Sequence, residues 1–169
     1  MPLGAIAIFE VEPAQVASTW PVMRQLRPHL DLEQYVATVA RMRKTDGFRL
    51  AAASIDGTVG AVAGFRTMEM LYCGKILSVD DLVTDEAMRS KGLGKALLDW
   101  LTREARLSGC AQLHLDSGLH RLDAQRFYER EGLKKTAFHW RGSHPCGSRC
   151  VSRETDRAAR SDHCGHCPR

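Results

Sequence analysis

A short glycine-containing loop at residues 89–94 has the residue types that bind an anion. It contains Arg89, Lys91, Gly92 and Gly94, follows a strand-like run that ends at Thr84, and opens an amphipathic helix. The first N–H groups of a helix have no partner inside the helix and lie at the positive end of its dipole. Glycine lets the backbone approach a ligand closely. The sequence therefore predicts a phosphate-binding junction here.

Two nucleotide-binding motifs fail at this loop. A P-loop needs a glycine where Arg89 stands and a serine or threonine where Ala96 stands. A dinucleotide fingerprint needs a small residue where Leu97 stands. Two interpretations remain from the loop alone, a different phosphate ligand or a glycine-rich helix start that binds nothing.

A resemblance that includes a second segment of the chain favours the first interpretation, a phosphate ligand. Arg89-x-x-Gly92-x-Gly94 resembles the acyl-CoA signature of the GNAT superfamily of N-acetyltransferases, and residues 124–133 are similar to its A-x-x-F-Y-x-x-x-G-[FL] helix. The separation of the two segments also agrees. The resemblance extends over residues 5–140 in the order of elements and is strongest in motif from 76 to 140. It implies acetyl-CoA as co-substrate and acetylation of an amine.

The resemblance also implies where the co-substrate lies. In this superfamily the strand before the loop carries a bulge and splays from the next parallel strand, and the pantetheine arm occupies the gap. The N–H groups of Leu82 or Val83 would then polarise the thioester carbonyl, and the loop would bind the pyrophosphate. The implied co-substrate-binding residues are Leu82, Val83, Thr84, Arg89, Ser90, Lys91, Gly92, Leu93, Gly94, Lys95 and Arg121.

Asp80 and Asp81 are the candidates for the base that deprotonates the acceptor amine, which is charged at neutral pH. Side chains alternate along a strand, so only one is expected to face the cleft, and parity with the strand end favours Asp80. Both could instead be solvated or ion-paired carboxylates.

Tyr128 corresponds to the tyrosine that protonates the departing CoA thiolate in many members of the superfamily. The alternative is a core aromatic residue, as is expected for its neighbour Phe127. Arg121 stands where many members have an asparagine, and it could meet a CoA phosphate or an acidic group of the substrate.

The elements that position these residues follow from hydrophobic periodicity. The pattern predicts a strand at 5–11, two helices within 14–45 broken near Pro28, strands at 48–55, 58–71 and 75–84, a helix at 92–108, a strand at 111–117, a helix at 122–131 and a last strand at 133–140. The fold class is therefore α/β (α+β). We expect a mixed, mostly antiparallel sheet with helices on both faces and, from the resemblance, a splayed parallel pair of strands.

Composition limits the other functions. The net charge of +4 in 169 residues is too weak to argue for nucleic acid. No apolar run is long enough to span a membrane and no signal peptide is evident, so a cytoplasmic location is expected. A small-molecule amine such as a polyamine, amino acid or amino sugar is favoured over a protein lysine or N-terminus. A CoA-binding module without catalysis and a homodimer both stay open.

The residues after 140 differ from the rest. They have almost no apolar side chains, so the acetyltransferase domain is predicted to occupy 1–140 and a polar tail 141–169. Cys146, Cys150, Cys164 and Cys167 have a spacing that zinc could use. A disordered extension is favoured, with no metal assigned, and a zinc-dependent interaction module is the alternative.

Overall fold

A computed structural model describes residues 4–140 and 142 of the chain. Five strands form one sheet in the order β1-β2-β3-β4-β5. The strands are β1 (Ile6–Glu10), β2 (Arg49–Ile55), β3 (Thr58–Met70), β4 (Gly74–Thr84) and β5 (Gln112–Leu115). The first four pair antiparallel and β4 pairs with β5 in parallel. The predicted mixed, mostly antiparallel sheet is confirmed.

Helices cover both faces of the sheet, as predicted. They are α1 (Trp20–Met23), α2 (Leu32–Asp46), α3 (Leu93–Leu107) and α4 (Leu122–Arg130). On one face, Leu97 and Leu101 of α3 pack with Phe65 and Leu77. On the other face, Tyr35 and Val39 of α2 lie in a second buried cluster with Met23, Leu50 and Val62.

Local signals explain several boundaries. Asp31 and Gln34 form the predicted capping box of α2, with Asp31 Oδ1 accepting from the Gln34 N–H at 2.8 Å. Asp56 and Gly57 have φ angles of 50° and 77°, so they make the predicted tight turn between β2 and β3. The first predicted helix is largely a 3₁₀ segment, Pro13–Thr19, followed by the four-residue α1.

The last predicted strand, at 133–140, is wrong. These residues form neither a helix nor a strand, although their pattern of polar and apolar side chains suits a strand. A strand needs a neighbouring strand for its hydrogen bonds, and none of the described residues pairs with this segment. Phe138 is 81% exposed and Trp140 is 90% exposed, so neither contributes to a core.

The chain divides into two compact units, Met1–Phe138 and His139–Arg169. All the strands and helices described above belong to the first unit. The four tail cysteines lie outside the described residues.

Candidate active site

The loop between β4 and α3 leads into a helix that begins at a glycine cap. Gly92 caps α3 with a φ of 83°, and Ser90 also has a positive φ of 63°. The Ala96 N–H makes the first helical hydrogen bond, to the Gly92 carbonyl at 2.9 Å. The N–H groups of Leu93, Gly94 and Lys95 therefore lie at the end of the helix before its hydrogen-bond ladder begins.

The charges around this loop suit a pyrophosphate. Arg89 makes a 3.5 Å ion pair with Glu86, but the two side chains are 64% and 73% exposed, so the pair is weak. Lys91 is exposed. Lys95 differs, because its Nζ binds Asp99 and Glu131 at 3.1 Å each and links α3 to the end of α4. Arg89 and Lys91 therefore have exposed cationic groups that could meet an anion, whereas Lys95 could offer its backbone N–H.

Strands β4 and β5 separate partway along their length. They pair only from Ile76 with Gln112 to Val79 with Leu115, whereas β4 remains paired with β3 as far as Thr84. The register between β3 and β4 shifts at Asp80, which is the extra residue of a β-bulge. On the β5 side, residues 80–84 therefore have no strand partner among the described residues.

Backbone groups of β4 point into this opening. The Asp85 N–H donates to the Gly60 carbonyl of β3 at 2.8 Å. Because successive backbone groups of a strand point to opposite edges, Leu82 and Thr84 face the opening and Val83 faces β3. A Cβ atom at Gly94 would lie 3.0 Å from Thr84 Oγ1, so the far end of the opening meets the start of α3.

Asp80 and Asp81 lie on the same face of the sheet. Arg66 of β3 donates to Asp80 from Nε at 2.8 Å and also from Nη2, and Arg27, just after α1, donates to Asp81 from Nε at 2.7 Å. The expected alternation of the two side chains is wrong at this point, because the bulge lets two successive residues point the same way. Both carboxylates are ion-paired.

Tyr128 of α4 is partly buried beside Phe127, with ring centroids 5.4 Å apart. Burial raises the pKa of Tyr128 above its ordinary value of 10.0, and the positive charge of Arg121 opposes the shift. Among the described residues no side chain hydrogen-bonds its hydroxyl group. The phenol therefore stays protonated at neutral pH and has a proton to donate.

The raised pKa of Tyr128 makes stability fall at high pH. The folded state binds the phenolic proton more tightly than the unfolded state, so the stabilisation is complete below about pH 10 and is lost as the pH rises through the folded pKa. Above pH 10, the unfolding temperature of Tyr128→Phe should decline less steeply with pH than that of the wild-type protein. Thermal unfolding followed by circular dichroism tests this, and parallel declines would contradict it.

Tyr35 also contributes to alkaline unfolding and serves as the control. Burial raises the pKa of Tyr35, although the hydrogen bond with Thr19 lowers it. Tyr35→Phe should therefore also flatten the decline, but it removes the 2.8 Å hydrogen bond with Thr19 and should lower the unfolding temperature at neutral pH. Tyr128→Phe should leave the unfolding temperature at neutral pH unchanged.

The turn after β5 contains a residue that motif matching does not emphasise. The Ser117 hydroxyl is buried and has no hydrogen-bond partner among the described residues. Gln125 of α4 holds the same turn by donating to the Gly118 carbonyl at 3.0 Å and the Leu119 carbonyl at 3.2 Å. Arg121 begins α4 without capping it through its side chain.

Sequence reasoning also missed Arg27 and Arg66, the partners of the two aspartates. Arg66 interrupts the apolar run of β3, and its charge in that strand was the available signal. Arg27 lies 54 residues from Asp81, so no local pattern joins them.

The described part of the chain has neither a metal-binding cluster nor a membrane-spanning helix. In residues 4–140 and 142, no three histidine, cysteine or acidic side chains are grouped to hold a metal ion. Within the same residues, every helix is too short or too polar to cross a membrane.

Known proteins share this sequence pattern. The sequence model of the acetyltransferase (GNAT) family matches residues 14–133. An uncharacterized N-acetyltransferase of Bacillus subtilis, YhdJ, is 37% identical over 112 residues, which are 66% of this chain and 79% of the relative. The aminoalkylphosphonate N-acetyltransferase of Salmonella typhimurium is 32% identical over 93 residues, which are 55% of this chain and 60% of the relative.

Solved structures share the fold. The aminoglycoside N-acetyltransferase AAC(6')-Iy, in complex with CoA, superposes with a TM-score of 0.75 at 16% identity. The match covers 86% of this chain and 99% of that chain. At this identity the likeness concerns the fold.

Proposed function

Because this chain belongs to the acetyltransferase (GNAT) family, we propose that it transfers the acetyl group of acetyl-CoA to a primary amine of a small molecule. The observation that carries the proposal is the opening between β4 and β5. It begins at Asp80, where the two strands separate, and its far end meets the start of α3. The pantetheine arm of CoA needs the opening between the two strands, and the phosphates that follow the arm need the start of α3.

The residues around the opening fit CoA. The pyrophosphate would take N–H groups of the loop and of the first turn of α3, with charge from Arg89 and Lys91. The pantetheine amides would pair with the edge of β4 that faces away from β3, where no strand of the described residues pairs beyond Val79. Of the two candidates for polarising the thioester carbonyl, we favour Leu82 over Val83, since Leu82 faces the opening.

The chemistry needs one base and one acid. When bound, acetyl-CoA supplies an activated acetyl thioester. Asp80 or Asp81, directly or through water, takes a proton from the acceptor ammonium, and the nitrogen then bonds to the acetyl carbon as the carbon–sulfur bond breaks. Tyr128 protonates the sulfur. The nitrogen loses its second proton as the amide forms, and one proton restores the Tyr128 phenol. The products are an N-acetyl amide, free CoA and one proton that the base releases to solvent.

A small molecule is the favoured acceptor. The aminoalkylphosphonate N-acetyltransferase, which is 32% identical over 93 residues, acts by its name on a small amine. The solved structures that share the fold do not decide this point, since they include enzymes named for an aminoglycoside and for a ribosomal protein.

A screen of primary amines with acetyl-CoA tests the function. Purified protein should release free thiol with acetyl-CoA and at least one of a set of amino acids, amino sugars, polyamines and aminophosphonates. Release should depend on both substrates. A protein that binds CoA tightly but turns over no amine, small or peptidic, would instead be a binding module.

A further inference from the structure

Four charged side chains form an array where β4 and β5 separate. We call Arg27, Arg66, Asp80 and Asp81 the charged array. The two ion pairs adjoin each other, since Arg27 Nη2 lies 3.4 Å from the Asp80 carbonyl oxygen. Arg66 also lies over the ring of Phe48 at 5.8 Å, and Phe48 belongs to the buried cluster below α1 and α2. The array therefore lies on the face opposite α3.

This location is the acceptor side of the proposed site. Asp80 directly follows Val79, the last β4 residue paired with β5. Leu82 packs with the cluster on the α3 face, and Thr84 meets Gly94 of α3, so the phosphates would approach from that face. An acetyl group at the separation point would meet an amine held by the charged array from the other face.

The arginines of the array retain donors for a ligand. Arg66 binds Asp80 through Nε and Nη2, and Arg27 binds Asp81 through the same two atoms. Within the described residues, Nη1 of each guanidinium group has no hydrogen-bond partner. Arg27 is 44% exposed while Asp81 is 14% exposed, so the arginine is the outer member of that pair.

The array has no net charge, because two guanidinium groups balance two carboxylates. A polycation would find no excess of negative charge there. An amine that also bears an anion would place its ammonium group against a carboxylate oxygen and its anion against the guanidinium donors, which suit oxyanions. All four protein charges would then keep a partner when water is excluded.

We propose that the acceptor is a compact amine that also carries an anionic group, a carboxylate or a phosphonate, and that Arg27 and Arg66 bind this group. The inference rests on the proposed acetyltransferase function. Among the small amines named from the sequence it favours amino acids and disfavours polyamines. It also favours the aminophosphonates of the amine screen.

A matched series of amines tests the charge class. Aminoethylphosphonate, β-alanine, ethanolamine and ethylenediamine share one spacer and differ in the second group. At equal acetyl-CoA, kcat/KM should be at least about tenfold higher for the better anionic amine than for ethanolamine, as expected for one charge-assisted contact. The diamine should be the poorest. Comparing the two anionic amines separates carboxylate from phosphonate recognition.

Arg27→Gln supplies the second measurement. The variant should lower kcat/KM for the preferred anionic amine by about tenfold or more, mainly through KM, and the ratio to ethanolamine should collapse toward one. Arg24→Gln is the matched control, because Arg24 is also exposed at the end of α1 and has no ion pair with the array. It should keep the wild-type ratio.

The outcomes separate the two proposals. If ethanolamine or ethylenediamine is used as well as both anionic amines, or if Arg27→Gln keeps the wild-type ratio, the charge-class inference is overturned and the acetyltransferase function stands. If the protein neither binds CoA nor releases thiol with any amine, both are overturned.

Discussion

Gly92→Glu should weaken acetyl-CoA binding by at least about 100-fold, which corresponds to about 2.7 kcal/mol. Gly92 caps α3 at the proposed pyrophosphate site, and a carboxylate there would repel the phosphates and occupy their space. Displacement of the pyrophosphate should also remove its hydrogen bonds to the loop. Each such hydrogen bond contributes about 1.5–3 kcal/mol when one partner is charged. Isothermal calorimetry with CoA measures the change directly.

Gly92→Ala is the control for backbone strain. The φ of 83° is unfavourable for any residue with a Cβ, so both variants lose stability, by about 1–2 kcal/mol. A Cβ at Gly92 would approach only Ile6 Cδ1, at an ordinary 3.7 Å, so alanine adds no clash. Gly92→Ala should therefore keep much of the CoA affinity. Wild-type affinity in folded Gly92→Glu would remove the loop from the binding site.

Tyr128→Phe should lower kcat by at least about tenfold, because a general acid typically contributes about 10²–10⁴-fold and the thiolate can also leave unassisted. The substitution keeps the ring against Phe127 and removes only the hydroxyl. The pKa of the CoA thiol is about 8.5 if it resembles that of a free thiol. The thiolate can therefore leave without a proton donor, although more slowly. Activity should fall without disappearing, and CoA affinity should hold.

Tyr128→Ala separates catalysis from packing. It removes the ring as well, so it should lower the unfolding temperature, whereas Tyr128→Phe should not. If Tyr128→Phe turns over at the wild-type rate while Tyr128→Ala is unstable, the residue is packing alone. The buried Ser117 hydroxyl, which lacks a partner among the described residues, would then be the next candidate for the acid.

Local signals allowed much of the fold to be predicted from the sequence. The capping box at Asp31, the Asp56-Gly57 turn and the glycine loop before α3 each depend on a few neighbouring residues. The helix α3 has a strong apolar face because residues one turn apart fall on one side. These features need no knowledge of the rest of the chain.

Pairing between distant segments could not be predicted in the same way. The bulge at Asp80 arises from the register of β4 against β3, and this register turns both aspartates to one face. Arg27 meets Asp81 only after the sheet and α1 have assembled. The residues 133–140 fail as a strand for the same reason, since β propensity describes a side chain on a paired sheet.

In the proposed reaction an acetyl group moves from acetyl-CoA to an amine at the opening between β4 and β5. The most direct measurement is the product itself, by incubating the protein with acetyl-CoA labelled in its acetyl group and the best amine from the screen. Mass spectrometry should show the label as an amide on the acceptor nitrogen, in amounts equal to the thiol released, and Gly92→Glu should form almost none at limiting acetyl-CoA. Thiol release without labelled amide, or equal product from Gly92→Glu, would contradict the account.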